Sequence, residues 1–376
     1  MKPSCQAGGS SGAGRTLLVL VILLLASANA AASCLHQAPL RGLNLAGAEF
    51  NTRELPGILH RNYTYPAATD FRYFGAKGAN TIRLPVRWER VQQELSGPLD
   101  DANLNEIRKA LNNAVEQDQC LLLDLHNYGY YAGEQLGTDA VPLASFVDVW
   151  RRLAEELGNP GHLALGLMNE PFKHPIDQWA SIAQHTVTEL RAAGIVHLIM
   201  VSGGRWSGVH EWFRKISGVS NAEAFAGFSD PLGRTVLEVH QYVNEGYSGT
   251  NEDCLAPEHF DRMFAAIGAW ATEHDQRLFL GEFGTPAAEY CLATLEHLLG
   301  LVNDPQIWRG WAYWAAGSWW GGYFLSVHPR AGKDAPQMAV LEPFFGDWSC
   351  EQVPDERCPG APEDLAVEPE PEGEGK

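Results

Sequence analysis

Between residues 38 and 348, the apolar residues follow two alternating patterns. Short, nearly continuous apolar runs are each followed by a longer segment in which apolar residues recur every three or four positions. The first pattern is typical of a strand buried in a parallel sheet, and the second of an amphipathic helix. Eight runs have strand character: 40–45, 81–85, 120–125, 163–168, 197–201, 235–239, 277–280 and 310–314.

Helical patterns fill most of the intervals between these runs, most clearly over residues 103–116, 146–157 and 179–192. In the first of them the apolar spacing of three and four is carried by Leu104, Ile107, Leu111 and Val115. Eight strand–helix units predict an α/β fold, a closed (β/α)8 TIM barrel. An open doubly wound sheet is the alternative, but no strand leads into a glycine-rich phosphate-binding turn. We therefore predict one barrel domain over residues 31–350.

The first thirty residues have the features of a signal peptide. Lys2 and Arg15 precede an apolar run at 17–26, which is shorter than the ~20 residues that a membrane-spanning helix needs. Ala28 and Ala30 supply an A-x-A cleavage site. We predict cleavage after Ala30, export of the chain and no integral membrane span.

The other end of the chain is acidic and rich in proline. Residues 351–376 contain nine acidic residues, two basic residues and five prolines, and we predict a disordered tail. The whole chain has a formal net charge of −19, which is the wrong sign for gripping nucleic acid or an anionic membrane. A neutral or cationic partner fits this charge better.

Six cysteines remain after the predicted cleavage, and six cysteines allow 15 pairings. Cys350 and Cys358 are eight residues apart in a loop-like stretch, where a local pair fits. Cys120 opens an apolar strand, where a buried free thiol fits. Cys34 follows a short stretch that faintly resembles a bacterial lipoprotein processing site, so a lipid anchor at Cys34 is the alternative to free secretion.

Polar and aromatic residues stand where the predicted strands end, which is the catalytic face of such a barrel. The main ones are Arg83, Asp124, His126, Asn127, Tyr128, Asn169, Glu170, His240, Gln241, Tyr242, Glu282, Tyr313 and Trp314. Glu170 and Glu282 lie at the ends of the fourth and seventh predicted strands, so both side chains should face the same cleft. Glycoside cleavage requires such a pair, one carboxyl group protonated and the other ionised.

Several motifs together resemble glycoside hydrolase family 5, which includes most cellulase-type endoglucanases, over about residues 38–348. They read RGLNLAG from Arg41, NTIRLP from Asn80, DLHNY from Asp124, MNEP from Met168, HQY from His240, LGEFG from Leu280 and WAAGS from Trp314. The Gly203-Gly-Arg-Trp turn and the Ser248-Gly-Thr segment are similar to the endo-1,4-glucanase subfamily.

The resemblance implies that Glu170 is the general acid and base and Glu282 the nucleophile, with net retention at the anomeric carbon. Asn169 would bind the sugar 2-hydroxyl, and Arg83 and Tyr242 would flank Glu282. The other implied substrate-binding residues are His126, Asn127, His240 and Trp314, with Trp206 and Trp319 at distal sugar subsites.

The resemblance also implies a disulfide between Cys254 and Cys291. In the subfamily the usual partner of the third-strand cysteine lies seven residues earlier, but that position is Asn113 here. Cys120 is therefore left without its usual partner.

We predict a monomeric, exported, retaining endo-1,4-β-glucanase that acts on β-glucan and needs no cofactor. No H-E-x-x-H motif supports a zinc site, and Thr250 replaces the final glycine of a serine-nucleophile elbow. The same mechanism on mannan, xyloglucan or mixed-linkage glucan is an open alternative. A barrel that binds glycans without cleaving them is another, against which the two glutamates argue.

Overall fold

The computed structural model describes residues 34–35, 38–216 and 218–346. The predicted signal peptide, the acidic tail, Cys350 and Cys358 lie outside the described residues. The proposed boundaries at residues 30 and 350 therefore remain predictions.

Eight parallel strands close into a barrel in which β1 pairs with both β2 and β8. The strands are β1 Leu40–Leu45, β2 Thr81–Val86, β3 Cys120–Leu125, β4 Leu163–Gly166, β5 Leu198–Ser202, β6 Thr235–His240, β7 Leu278–Glu282 and β8 Trp308–Ala316. A separate antiparallel pair joins Tyr130–Tyr131 to Glu134–Gln135. The predicted (β/α)8 barrel, a single domain, is confirmed.

The α-helices of the described residues pack around the strands. They are α1 Ala68–Ala76, α2 Trp88–Val91, α3 Asp101–Glu116, α4 Leu143–Leu157, α5 Ile176–Ala192, α6 Asn221–Phe225, α7 Asp261–Glu273, α8 Glu289–Leu301 and α9 Met338–Phe345. α4 and α5 each begin three residues earlier than the apolar pattern predicts, directly after Pro142 and Pro175. Proline has a backbone angle suited to a helix start and lacks an N–H that would need a partner there.

The interior of the barrel changes character along its axis. On β3, Leu122 belongs to an apolar cluster at the N-terminal end of the barrel, and Asp124, two residues further, is buried among polar groups. β6 repeats this change from Val236 to Glu238. Alternate residues of a strand share one face, so β3 and β6 each carry an apolar residue at one end of the barrel and a charged one at the other.

Two disulfide bonds join described residues. Cys254 pairs with Cys291, as the resemblance implied, and Cys34 pairs with Cys120. A free thiol at Cys120 was therefore a wrong reading of the sequence: Cys34 precedes β1 and Cys120 opens β3, so both lie at the N-terminal end of the barrel, with Cα atoms 5.0 Å apart. A lipid anchor at Cys34 is also contradicted, because its sulfur is used in this bond. Among the described residues, no helix is long and apolar enough to cross a membrane.

Candidate active site

A cleft of about 640 Å³ opens at the C-terminal end of the barrel. Strand ends and the loops after them supply its walls, which include His126, Tyr128, Glu170, Phe172, Trp206, His210, His240, Tyr242, Tyr247, Glu282, Trp314 and Tyr323. Two carboxyl groups therefore meet among aromatic side chains, which suits a ligand with both hydroxyl groups and apolar faces.

Glu170 and Glu282 lie close together across this cleft. One oxygen of each carboxyl group and one ring nitrogen of His240 all lie within 4.8 Å of one another. Glu170 and Glu282 are 9% and 4% exposed, so water reaches both sparingly. Retaining glycosidases have carboxyl groups about 5 to 5.5 Å apart, whereas inverting ones need roughly 6.5 to 9.5 Å. The observed separation is that of the retaining class.

Glu282 is held by one donor on each oxygen. Arg83 Nη1 donates to Oε1 at 3.0 Å, and the Tyr242 hydroxyl donates to Oε2 at 2.8 Å. Burial raises the pKa of Glu282, and the cations His240 and Arg83 oppose that shift. Because both donors are fixed, the carboxyl group keeps one orientation toward the cleft.

Arg83, fully buried on β2, is the centre of the polar interior. Besides Glu282 it contacts Asn44 Oδ1 at 2.8 Å, Asn169 Oδ1 at 2.8 Å, Glu238 Oε1 at 2.9 Å and Asp124 Oδ2 at 3.2 Å. These carboxylates outweigh the desolvation that burial causes and raise the pKa of Arg83. The guanidinium thus ties residues of β1, β3, β6 and β7 and the segment after β4 into one network.

His240 lies between two carboxyl groups. Its Nδ1 is 2.7 Å from Glu170 Oε1, and its Nε2 is 3.0 Å from Glu238 Oε1. Burial disfavours the charged ring, but Glu282, Glu170 and Glu238 outweigh it and raise the pKa of His240 to about 10. Glu170, His240 and Glu282 form a candidate metal-binding group by distance. An imidazolium with both nitrogens engaged is a poor metal ligand, so this donor set does not suit a cation.

His126, in contrast to His240, has a neutral ring. Burial lowers its pKa to about 3, which leaves the ring neutral. Its Nδ1 is 2.8 Å from Asp124 Oδ2, its Nε2 is 3.1 Å from the Tyr128 hydroxyl, and its ring stacks on Trp314 with centroids 5.6 Å apart. Asn169 also approaches this ring, with Nδ2 3.3 Å from Nε2. The contacts orient Trp314, whose indole lines the cleft.

The predicted distal residues have different positions. Trp206 lines the cleft, is 41% exposed and stacks on Phe172 with ring centroids 4.2 Å apart. Trp319 is equally exposed but is not part of the cleft wall. Asn127 also stays out of the wall, because its side chain accepts from the Trp88 backbone N–H at 2.7 Å and donates to Glu89 at 2.8 Å. Substrate contact by Asn127 or Trp319 is therefore not supported by this cleft.

Sequence reasoning did not assign several residues that the structure places in or behind the cleft. They are Asn44, Phe172, His210, Glu238, Tyr247 and Tyr323. Two of them had a usable signal: Asn44 is part of the RGLNLAG motif, and Glu238 is two residues before His240 on the same strand and so shares its face. The loop aromatics carried no such signal, because loop paths are not fixed by apolar periodicity.

A parallel barrel with two carboxyl groups at this separation, flanked by arginine, tyrosine and tryptophan, is the arrangement of a glycoside hydrolase. Residues 43–318 match the cellulase family, glycosyl hydrolase family 5. The chain belongs to this family and is a glycoside hydrolase.

Individual relatives extend the comparison. The structure of XacCel5A in complex with cellopentaose is 44% identical, with a TM-score of 0.79, and the match covers 82% of this chain and 100% of that one. An endo-β-1,4-glucanase of Xanthomonas axonopodis pv. citri is 40% identical, with a TM-score of 0.80 and coverage of 82% and 98%. Endo-β-1,4-glucanase B of Emericella nidulans is 28% identical over 81% of this chain and 90% of its own length.

Proposed function

We propose that the protein is an exported retaining endo-1,4-β-glucanase, with Glu170 as general acid and base and Glu282 as nucleophile. The observation that supports this most is that one oxygen of Glu170 and one of Glu282 lie within 4.8 Å of each other, closer than the roughly 6.5 to 9.5 Å that inversion needs to fit a water between the carboxyl groups. The endo-β-1,4-glucanase relatives and the cellopentaose complex of XacCel5A favour a β-1,4-glucan as substrate.

In the first step, a carboxylate oxygen of Glu282 attacks the anomeric carbon, and the bond to the glycosidic oxygen breaks. Glu170 gives its proton to that oxygen, so the leaving chain departs as a neutral alcohol. His240 Nδ1 lies 2.7 Å from Oε1 of Glu170, so we assign the transferred proton to the other oxygen, Oε2. The product of this step is a glycosyl ester on Glu282.

In the second step, the Glu170 carboxylate removes a proton from water, and the resulting hydroxide attacks the anomeric carbon. The ester bond breaks, Glu282 regains its charge, and the sugar keeps its original β configuration. Arg83 and Tyr242 restore the two hydrogen bonds that orient the released carboxylate. Asn169 binds the sugar 2-hydroxyl during both steps.

The aromatic residues determine where a chain lies. Trp314 supports the sugar that is attacked, and the Phe172–Trp206 stack supports a sugar further along the cleft. Aromatic rings cover the apolar faces of pyranoses without using hydrogen bonds. A cleft with platforms at two places suits internal cleavage of a polymer.

The test is hydrolysis of carboxymethylcellulose, mixed-linkage glucan, xyloglucan and mannan by the mature chain. We expect cleavage of carboxymethylcellulose, and a loss of about 10³-fold or more in Glu170→Gln and Glu282→Gln, because each removes a catalytic carboxyl group. Glu156→Gln, at an exposed carboxylate on α4, is the control and should retain full activity. Preference for another of the four glycans would change the substrate and keep the mechanism. Unchanged activity in either glutamine variant would refute the assigned roles.

The two roles are separated with an aryl cellobioside whose leaving group needs no protonation. Glu170→Ala should still release the aryl group, and azide should then accelerate turnover and give a β-glycosyl azide. Glu282→Ala cannot form the ester, so azide should give the α product instead. If Glu170→Ala gave the α-glycosyl azide and Glu282→Ala the β-glycosyl azide, Glu170 would be the nucleophile and Glu282 the general acid and base.

A further inference from the structure

Two buried carboxylate–histidine pairs face each other across the barrel interior. Asp124 and His126 are two residues apart at the end of β3, and Glu238 and His240 are two residues apart at the end of β6. The first pair is joined at 2.8 Å and the second at 3.0 Å. Alternate residues share a strand face, so both pairs point into the barrel.

One arginine lies between the two pairs. Arg83 Nη2 is 3.2 Å from Asp124 Oδ2 and 2.9 Å from Glu238 Oε1, and both carboxylates are 1% exposed. The guanidinium therefore does not by itself distinguish the two pairs. What differs is the other side of each histidine.

In each histidine, one ring nitrogen contacts the carboxylate of its own pair. The other ring nitrogen contacts neutral groups in His126 and a carboxylate in His240. His126 Nε2 meets the Tyr128 hydroxyl and the Asn169 amide, whereas His240 Nδ1 is 2.7 Å from Glu170 and 3.9 Å from Glu282. The charged or titratable groups around the His240 ring are thus Glu170, Glu238, Glu282, Asp124, Arg83 and His126. The carboxylates outnumber the single guanidinium, so the surroundings favour the doubly protonated, positively charged form of His240.

We propose that Glu238 is a positioning residue for the acid–base step, because by holding His240 doubly protonated it fixes the direction of the His240–Glu170 hydrogen bond. Nε2–H of His240 donates to Glu238, and Nδ1–H donates to Glu170 Oε1. The proton of Glu170 then stays on its other oxygen, where the glycosidic oxygen can take it. The inference rests on the proposed function for the role of Glu170.

Without the negative charge of Glu238, the direction of the hydrogen bond between His240 and Glu170 is no longer fixed. A neutral His240 can keep its single proton on Nε2 and present Nδ1 as an acceptor. Glu170 would then donate its proton to His240 and hold it away from the substrate. The loss would appear as a slower acid–base step with little change in substrate binding.

The variant that tests this is Glu238→Gln, which keeps the shape and removes the charge. Nitrogen-15 NMR of the imidazole rings, with His240 assigned by comparison with His240→Asn, should show both ring nitrogens of His240 protonated at pH 8 in the wild type. In Glu238→Gln the titration of His240 should move to lower pH. Glu89→Gln is the matched control, since Glu89 is also buried but contacts Arg87 and Asn127 instead, and it should leave the His240 titration unchanged.

Kinetics provide the second readout. We expect Glu238→Gln to lower kcat on carboxymethylcellulose about 10- to 100-fold with KM nearly constant, and to move the alkaline limb of the pH profile to lower pH. When His240 is already replaced by asparagine, adding Glu238→Gln should not lower kcat any further. Glu238→Asp keeps the charge and should keep His240 protonated, which also covers the case in which the glutamine variant does not fold.

An unchanged His240 titration in Glu238→Gln would overturn the proposal, and so would losses that multiply in the double variant with His240→Asn. The NMR titration needs no substrate. A wild-type chain that cleaves none of the four glycans would therefore refute the proposed function while the titration still reports on Glu238.

Discussion

Replacing both Cys34 and Cys120 by alanine is expected to destabilise the fold without slowing the reaction. The bond closes a loop of 86 residues, and the bond between Cys254 and Cys291 closes one of 37. If a disulfide stabilises by restricting the unfolded chain, these lengths correspond to about 4.6 and about 3.8 kcal/mol at 25 °C. Loss of the Cys34–Cys120 bond should therefore lower the free energy of unfolding more than loss of the Cys254–Cys291 bond.

The two bonds should differ even more in their effect on activity. Cys34–Cys120 lies at the N-terminal end of the barrel, opposite the cleft. Cys254 follows the loop that supplies residues 246–250 to the cleft wall, and its bond fastens that loop to α8 through Cys291. The first double variant should keep kcat and KM, and the second should raise KM.

Urea unfolding of the two double alanine variants, followed by tryptophan fluorescence, measures the loss of unfolding free energy. Peptide mapping of the unreduced wild-type chain identifies the partner of Cys120 directly. A stability loss below about 1 kcal/mol for the Cys34–Cys120 variant would refute the loop-closure estimate. A Cys120 peptide that is alkylated without reduction would refute the pairing itself.

Three further outcomes follow from the geometry of the cleft. Tyr242→Phe removes the donor to Glu282 Oε2, and a hydrogen bond to a charged group contributes about 1.5 to 3 kcal/mol, so kcat/KM should fall about 10- to 100-fold in steady-state assays. Trp206→Ala removes the platform that Phe172 supports and should raise KM for cellohexaose more than for cellotriose; equal effects on both would contradict a distal subsite. His240 has a folded pKa of about 10 against an ordinary 6.5, so its contribution to stability is fully present below pH 6.5 and is lost as pH rises through 10. Urea unfolding from pH 6 to 10 should show this loss in the wild type, and a smaller one in His240→Asn.

The barrel was predictable because its strands are short apolar runs separated by helices of regular periodicity. The exact ends of the strands were not. The fourth run continues in sequence to residue 168, but β4 ends at Gly166, and Glu170 has a backbone φ of +39°. Apolar residues continue past the strand because Leu167 and Met168 are buried beside the site, so hydrophobicity alone does not mark where the strand stops.

The site was predictable only in part, and the errors have a common physical origin. Asn127 follows the same strand as His126, yet its amide is used to hold the start of α2 through the Trp88 N–H. A polar residue after a strand either faces the cleft or supports the loop, and the sequence does not distinguish the two. Pairing of Cys34 with Cys120 likewise depends on the segment before β1 and the start of β3 meeting at the N-terminal end of the barrel, which no local sequence pattern records.

The central claim is the double displacement by Glu170 and Glu282, and the stereochemistry of the first product tests it most directly. Proton NMR of cellopentaose hydrolysis, recorded before the product sugars interconvert, identifies the anomer that the enzyme releases. We predict that the new reducing end appears first as the β-anomer. Initial release of the α-anomer would mean inversion and would contradict the account.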